Sequence, residues 1–354
     1  MTYRHNQRLI TSWLCLGLIM LVVQISLGGI TRLTGSGLSI TEWKPLLGAL
    51  PPLTRQAWQD SFEKYQHIAQ FKRLNSHFTL ADYKAIFFWE WLHREWARLM
   101  GLVFLIPFIW FIIRRQISKN MIKPLLILFL LGGLQGAIGW IMVQSGLNDT
   151  DVKVSHIRLA IHFMCALFLL SYLLWVVLKR SVPTDKLAGH PSLQGLMLTL
   201  LTLVACQLTY GAFMAGMRAA LYAPTWPDIN GTLLPTNALW NGNDFRHDLI
   251  DQPLVVQFIH RTLAYLITLS SVIWFIAAGK VPRQSWIRQY RWLPLLLITV
   301  QIVLGVLALL TSVTGHTMHY AVLHQFTGVL IWLTFLTGYY LTSSSSIKKQ
   351  STKI

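Results

Sequence analysis

Charge is scarce in this chain, and acid scarcer still. Of 354 residues 12% are Asp, Glu, Lys or Arg, only 13 of them acidic, while 54% are apolar and the mean hydropathy is positive. A soluble domain carries about 25% charged residues, so a polar surface over the whole chain is excluded. Cysteine is nearly absent too: Cys15, Cys165 and Cys206 each fall inside an apolar run, where a thiol behaves as a small apolar side chain, and no outside disulfide is available. A signal peptide is excluded for the first apolar run, which is too long and lacks a small-residue cleavage pattern; it reads as a retained anchor. The lack of an Arg-rich, Ser-rich leader favours a bacterial inner (plasma) membrane over organelle import.

What the chain does have is long apolar sequence. Runs of about 20 residues, enough to cross roughly 30 Å of hydrocarbon, occur near 10–30, 97–113, 124–144, 157–178, 192–214, 256–278, 292–313 and 320–341. The expected fold class is an all-α integral membrane protein with eight transmembrane helices. The net charge of +17 is distributed by side: alternate connections hold 16 basic residues and one acid, the others 14 basic and 12 acidic. That asymmetry predicts both termini inside. Basicity therefore reports topology, and nucleic acid is not an expected partner.

Long outside connections follow the first and fifth runs, at about 31–88 and 215–255, whereas the rest are short. In register with this spacing, EWLHREWARLMGL opens the second run and QFIHRTLAYLITL the sixth, and LQGAIG in the third matches VQIVLG in the seventh. A repeat of four spans keeps both halves in one orientation. The prediction is two parallel-repeat four-helix bundles, residues 1–180 with the large outer loop and 181–354.

Two histidines per half keep their places: His93 with His260, and His162 with His324. Each stands near the outer start of an even-numbered span, and each is followed four residues later by a small residue, Ala97, Ala166, Ala264 or Gly328. The i+4 position shares the histidine's face, so these leave room for a flat macrocycle. Histidine is a common axial ligand of haem iron, and intramembrane ionisable residues mark function; a histidine that merely bonds a neighbouring helix is the alternative for each. His156, His316 and His319 lack the repeat spacing, and His67 and His77 read as loop surface. Three residues before the first histidine the halves differ, Glu90 against Gln257, which places a proton-handling carboxylate in one half only. An ion pair of Glu90 with Arg94 is the competing and compatible reading. Arg94 and Arg261 have the guanidinium geometry to pair with haem propionates, or to snorkel. In the first outer loop, 54–68 reads as an amphipathic helix and Thr79 to Asp82 as a capping box that starts the second helix early. The segment 222–235 reads as a matching lid, with Arg32, Trp43 and Trp226 as loop candidates.

The stretch GGITRLTGSGLSITEWKPLLGALPP, the ExxHR opening of the second span and the four histidines closely resemble the haem A synthase family, in the branch without a cysteine pair in the first outer loop. The resemblance spans nearly the whole chain. It implies oxidation of a methyl group of haem O to a formyl group through a hydroxymethyl species, giving haem A for terminal oxidases. It further implies that His260 and His324 ligate a resident haem b, that His93 and His162 face haem O, and that Glu90 is catalytic, taking or relaying protons. Expected partners are haem O, an electron acceptor in the membrane, a docked haem O synthase, and a second copy of the chain. Two other readings compete: a non-catalytic dihaem cytochrome between quinone and an outside acceptor, and a repeat transporter, which lacks here the paired midplane Gly or Pro break.

Overall fold

In the computed structural model, which describes residues 2–42, 48–236, 245–283, 285–315 and 317–344, the chain is helical. An isolated bridge between Ile229 and Thr232 is the one β feature among those residues. In chain order the helices are α1 (Thr2–Leu33), α2 (Arg55–Gln66), α3 (Leu80–Ile113), α4 (Lys119–Gln144), α5 (His156–Ser181), α6 (Pro191–Met217), α7 (Phe245–Asp251), α8 (Pro253–Ala278), α9 (Trp286–Tyr290), α10 (Trp292–Leu310) and α11 (Thr317–Thr342). Among the described residues eight segments are long and apolar enough to cross a membrane: α1 from Gln7, α3, α4, α5, α6, α8, α9 with α10, and α11. These match the eight apolar runs, and the protein is a multi-pass membrane protein.

The start of α3 follows from its first residues. Thr79 accepts from the Asp82 amide while the Asp82 carboxylate accepts from the Thr79 amide, a complete capping box. The helix therefore begins more than a dozen residues ahead of its apolar core, and the extension serves as a platform. On it packs α2, whose Trp58, Phe62 and Tyr65 meet Tyr83 and Phe87. Tyr65 and Tyr83 are wholly buried, with Leu38, Ile68 and Ile86 completing the cluster. At about 25 cal/mol per Å² of apolar surface, burying these aromatics is what holds this cap to its helix.

The chain divides into two compact units, Met1–Leu173 and Leu174–Ile354, with the division inside α5. In the first unit α1 packs on α3: Trp13 stacks on Phe104 and donates to the Val103 carbonyl at 2.8 Å, and Trp96 donates to the Met20 carbonyl at 2.9 Å. In the second, α6 packs on α8 and α11, and α10 on α11, around buried Leu193, Met197, Trp274, Ile298 and Phe335. The three cysteines are free thiols.

Candidate functional site

All four repeat-register histidines sit against the preceding transmembrane helix, and on each of those helices the same two residues receive them. The sequences are Gln24-Ile-Ser-Leu-Gly28 on α1, Gln135-Gly-Ala-Ile-Gly139 on α4, Gln207-Leu-Thr-Tyr-Gly211 on α6 and Gln301-Ile-Val-Leu-Gly305 on α10. The four-residue interval puts amide and glycine on one helix face, a turn apart. Gln24 Nε2 lies 3.3 Å from His93 Nε2, Gln135 Nε2 3.2 Å from His162 Nδ1, Gln207 Nε2 3.2 Å from His260 Nε2, and Gln301 Nε2 3.3 Å from His324 Nε2. The glycines admit the rings: a Cβ on Gly28, Gly139, Gly211 or Gly305 would stand 3.2, 2.8, 3.4 or 2.8 Å from the Cε1 of the facing histidine. Sequence reasoning matched this interval only between the third and seventh spans. Its recurrence on the first and fifth, once ahead of each histidine, was the available signal.

Within the second unit, His260 and His324 are brought together, their ring centroids 6.4 Å apart and their planes at 64°. Within the first, His162 lies in electrostatic reach of His93. Of the other histidines, His67, His77 and His319 are exposed and His156 is half-buried, while His316 lies outside the described residues. The small residue after the last histidine, Gly328, faces Leu208 and the Gln301 amide, where a Cβ would stand at 3.3 and 3.4 Å.

The charged opening of α3 is divided between two tasks. Glu90 is 3% exposed; its Oε2 accepts from Ser39 Oγ at 2.7 Å and the Ile40 amide at 2.9 Å, and its Oε1 from Arg94 at 2.5 Å. Arg94 also donates to the Ile40 and Glu42 carbonyls at 3.1 and 3.2 Å, and Tyr83 donates to the Ser39 carbonyl at 3.2 Å. Together they fasten the Ser39–Glu42 stretch of the loop after α1 to the helix that carries His93. One turn further, Glu95 and Arg98 form an ion pair with each other, which a low-dielectric setting requires of opposite charges.

The second unit repeats the fastening without the carboxylate. Gln257 Nε2 donates to the Ala223 carbonyl at 2.9 Å. Arg261 donates to the carbonyls of Asp228 at 2.6 Å, Thr225 at 2.8 Å and Ala223 at 3.2 Å. The loop it grips is a tight turn closed by the Ile229–Thr232 bridge, with Asn230 and Gly231 at positive φ. In it the Gly231 amide, then the Thr225 hydroxyl, holds the Asp228 carboxyl below the usual range. Both arginines thus use guanidinium donors on loop carbonyls. Of the loop candidates, Trp226 is 45% exposed, Arg32 is half-buried, and Trp43 lies outside the described residues.

The donor set fits a porphyrin better than a bare ion. No group of three or more His, Cys, Asp or Glu gathers for a metal among the described residues, and two histidines suffice only where a macrocycle fills the other positions. His260 and His324, the two rings brought together in the second unit, are the residues that would hold such a group there. Polar atoms are also left over beside the rings: Oε1 of Gln24, Gln135, Gln207 and Gln301 and Nδ1 of His93 and His260 are buried with no hydrogen-bond partner.

Comparison with known proteins places these features in a family. The profile of the cytochrome oxidase assembly proteins, COX15-CtaA, matches residues 11–336. The chain is 40% identical to the heme A synthase of Novosphingobium aromaticivorans, covering 95% of this chain and 97% of that protein. It is 41% identical to the heme A synthase of Maricaulis maris over 94% and 96% of the two chains, and 40% identical to that of a Bradyrhizobium species over 91% and 88%.

Proposed function

The chain belongs to the COX15-CtaA family of cytochrome oxidase assembly proteins, and from that premise we propose how its two histidine pairs divide the work of a haem A synthase. The enzyme is an oxidoreductase that converts haem O to haem A: a methyl substituent of the porphyrin loses two C–H bonds and gains a C=O bond, yielding the haem used by terminal oxidases. The single observation that carries the assignment to this chain is the conjunction of full-length likeness to heme A synthases with four histidines each cradled by its own Gln and Gly.

His260 and His324 would hold a resident haem b, a role supported by their 6.4 Å ring separation. That haem, when bound, supplies one-electron transfer. His93 and His162 hold haem O, and their unit alone has a carboxylate three residues before its first histidine. Glu90 is the group that takes protons as C–H bonds are lost; Ser39, the Ile40 amide and Arg94 orient it. Arg94 and Arg261, each one residue past its histidine, bind propionates with whichever donors Glu90 and the loop carbonyls leave. The sites lie toward the outer face of a bacterial inner membrane, which the charge distribution supports. Electrons leave to an acceptor in the membrane; haem O synthase and a second copy of the chain are the proposed protein partners.

The test is mass analysis of haem extracted from a host that makes haem O and no haem A. The intact chain is expected to generate haem A. A folded, haem-loaded chain that leaves haem O unchanged with an electron acceptor supplied would instead identify a dihaem electron carrier.

A further inference from the structure

We propose that Gln24 and Gln207 are positioning residues for the first histidine of each unit, their side-chain carbonyls accepting the imidazole N–H that iron ligation leaves behind. The inference rests on the haem reading above and assigns roles to residues outside the ligand set.

The two sites share one unsatisfied arrangement. In each, the glutamine Nε2 is 3.2–3.3 Å from a ring nitrogen of the histidine, the amide Oε1 is buried without a partner, and the other ring nitrogen, Nδ1 of His93 or His260, is buried without one as well. A buried amide oxygen and a buried imidazole nitrogen left unpaired each carry a desolvation penalty, and here they are left unpaired side by side, twice, at equivalent places in the two halves. Iron would resolve both. It takes the lone pair of one ring nitrogen, which obliges the proton to reside on the other, and a metal-ligating histidine donates that N–H to an acceptor. A half-turn of the glutamine amide puts Oε1 where Nε2 stands, within hydrogen-bond reach of the ring. Gly28 and Gly211, a turn further along the same faces, let the ring approach that closely.

The second histidine of the C-terminal unit has a main-chain acceptor at hydrogen-bond distance. There the main-chain carbonyl of Gln301 lies 3.1 Å from His324 Nδ1, so the ring already has its acceptor and its orientation. Nδ1 of His93 and of His260 is left without a partner in hydrogen-bond geometry whereas His324 Nδ1 has one, which is why Gln24 and Gln207 carry the proposal.

The experiment uses the full-length purified protein with its own haem, comparing Gln207→Leu and Gln207→Glu with the unaltered chain at alkaline pH. The readouts are the midpoint potential of the haem and its rate of capture by excess apomyoglobin. An acceptor on the distal N–H makes the imidazole a stronger donor and stabilises ferric iron. Gln207→Leu is expected to raise the potential and weaken haem retention by roughly 10–100-fold, the range for loss of such partners. Gln207→Glu, a stronger acceptor of nearly the same shape, is expected to lower the potential. Opposite signs are a signature that loss of packing does not produce. Unchanged potentials, or shifts of the same sign, overturn the proposal, and if Gln207→Leu does not fold, the absence of a fall in Gln207→Glu overturns it alone. If the unaltered protein shows no six-coordinate low-spin haem spectrum that His260→Ala abolishes, the haem reading itself fails. If that spectrum is present and the glutamine variants leave it and the potential untouched, only the role of Gln207 fails.

Discussion

Four glycines differ in how closely they are pressed by a histidine, and the difference makes a graded test. A Cβ on Gly305 would stand 2.8 Å from the His324 ring, one on Gly211 3.4 Å from His260. The first distance forces the ring to move; the second is ordinary contact. Gly305→Ala is expected to lower the haem-to-protein ratio severalfold and to cost about 1–3 kcal/mol of stability, as overpacking does, while Gly211→Ala keeps its haem; pigment assay and thermal unfolding of the pair check it. Glu90 is the other residue where one atom decides. Gln at this position reproduces the residue of the second unit, Gln257, and keeps the volume while losing the acceptor charge opposite Arg94. Glu90→Gln is expected to bind haem O with an unaltered absorption spectrum and to form haem A about 10²–10⁴-fold more slowly, the usual contribution of a positioned acid or base. Normal haem A output, measured by mass analysis, would remove the carboxylate from the chemistry.

Among the elements, each long loop is bolted to the histidine-bearing helix that follows it by an arginine one residue past the histidine. Arg94→Leu removes the partner of a buried carboxylate, a loss of about 3–5 kcal/mol when a buried pair is broken. Arg261→Leu removes three bonds to the carbonyls of Ala223, Thr225 and Asp228. Hydrogen exchange is expected to rise by about 10–100-fold in residues 39–42 of the first variant and 223–232 of the second, since a hydrogen bond to a charged group contributes about 1.5–3 kcal/mol; exchange confined to the native rate would show that the loops are held by other contacts. This fastening was not legible beforehand. It depends on main-chain carbonyls of a loop, which carry no side-chain signature, so Arg94 and Arg261 read from sequence as propionate partners. The capping box at Thr79 and Asp82 was legible, because its two side chains are written three residues apart, and so was the aromatic face of α2. The Gln-x-x-x-Gly interval lay between: all four copies are in the sequence, but Gly is common in membrane helices, and only the facing histidine, on another span, gives the pair its meaning.

For the whole molecule, eight spans were readable because apolar length is the requirement lipid imposes, and the described residues contain eight helical segments of that length and composition. The pairing of histidines within a half was inferred from register, and the 6.4 Å approach of His260 and His324 gives that register a physical content. The charge asymmetry of the connections makes a further expectation for the assembled protein: reporter fusions at both termini are active only on the cytoplasmic side, and a periplasmic signal from either would contradict it. In the proposed division of labour the two units hold different haems, one resident and one transformed. The deciding measurement is the haem content of the protein purified from a host that makes haem b and no haem O, in the unaltered chain and in His93→Ala and His260→Ala. One low-spin haem b per chain is expected, retained in His93→Ala and lost in His260→Ala. Two haems per chain, or a haem lost with His93 and kept without His260, would contradict it.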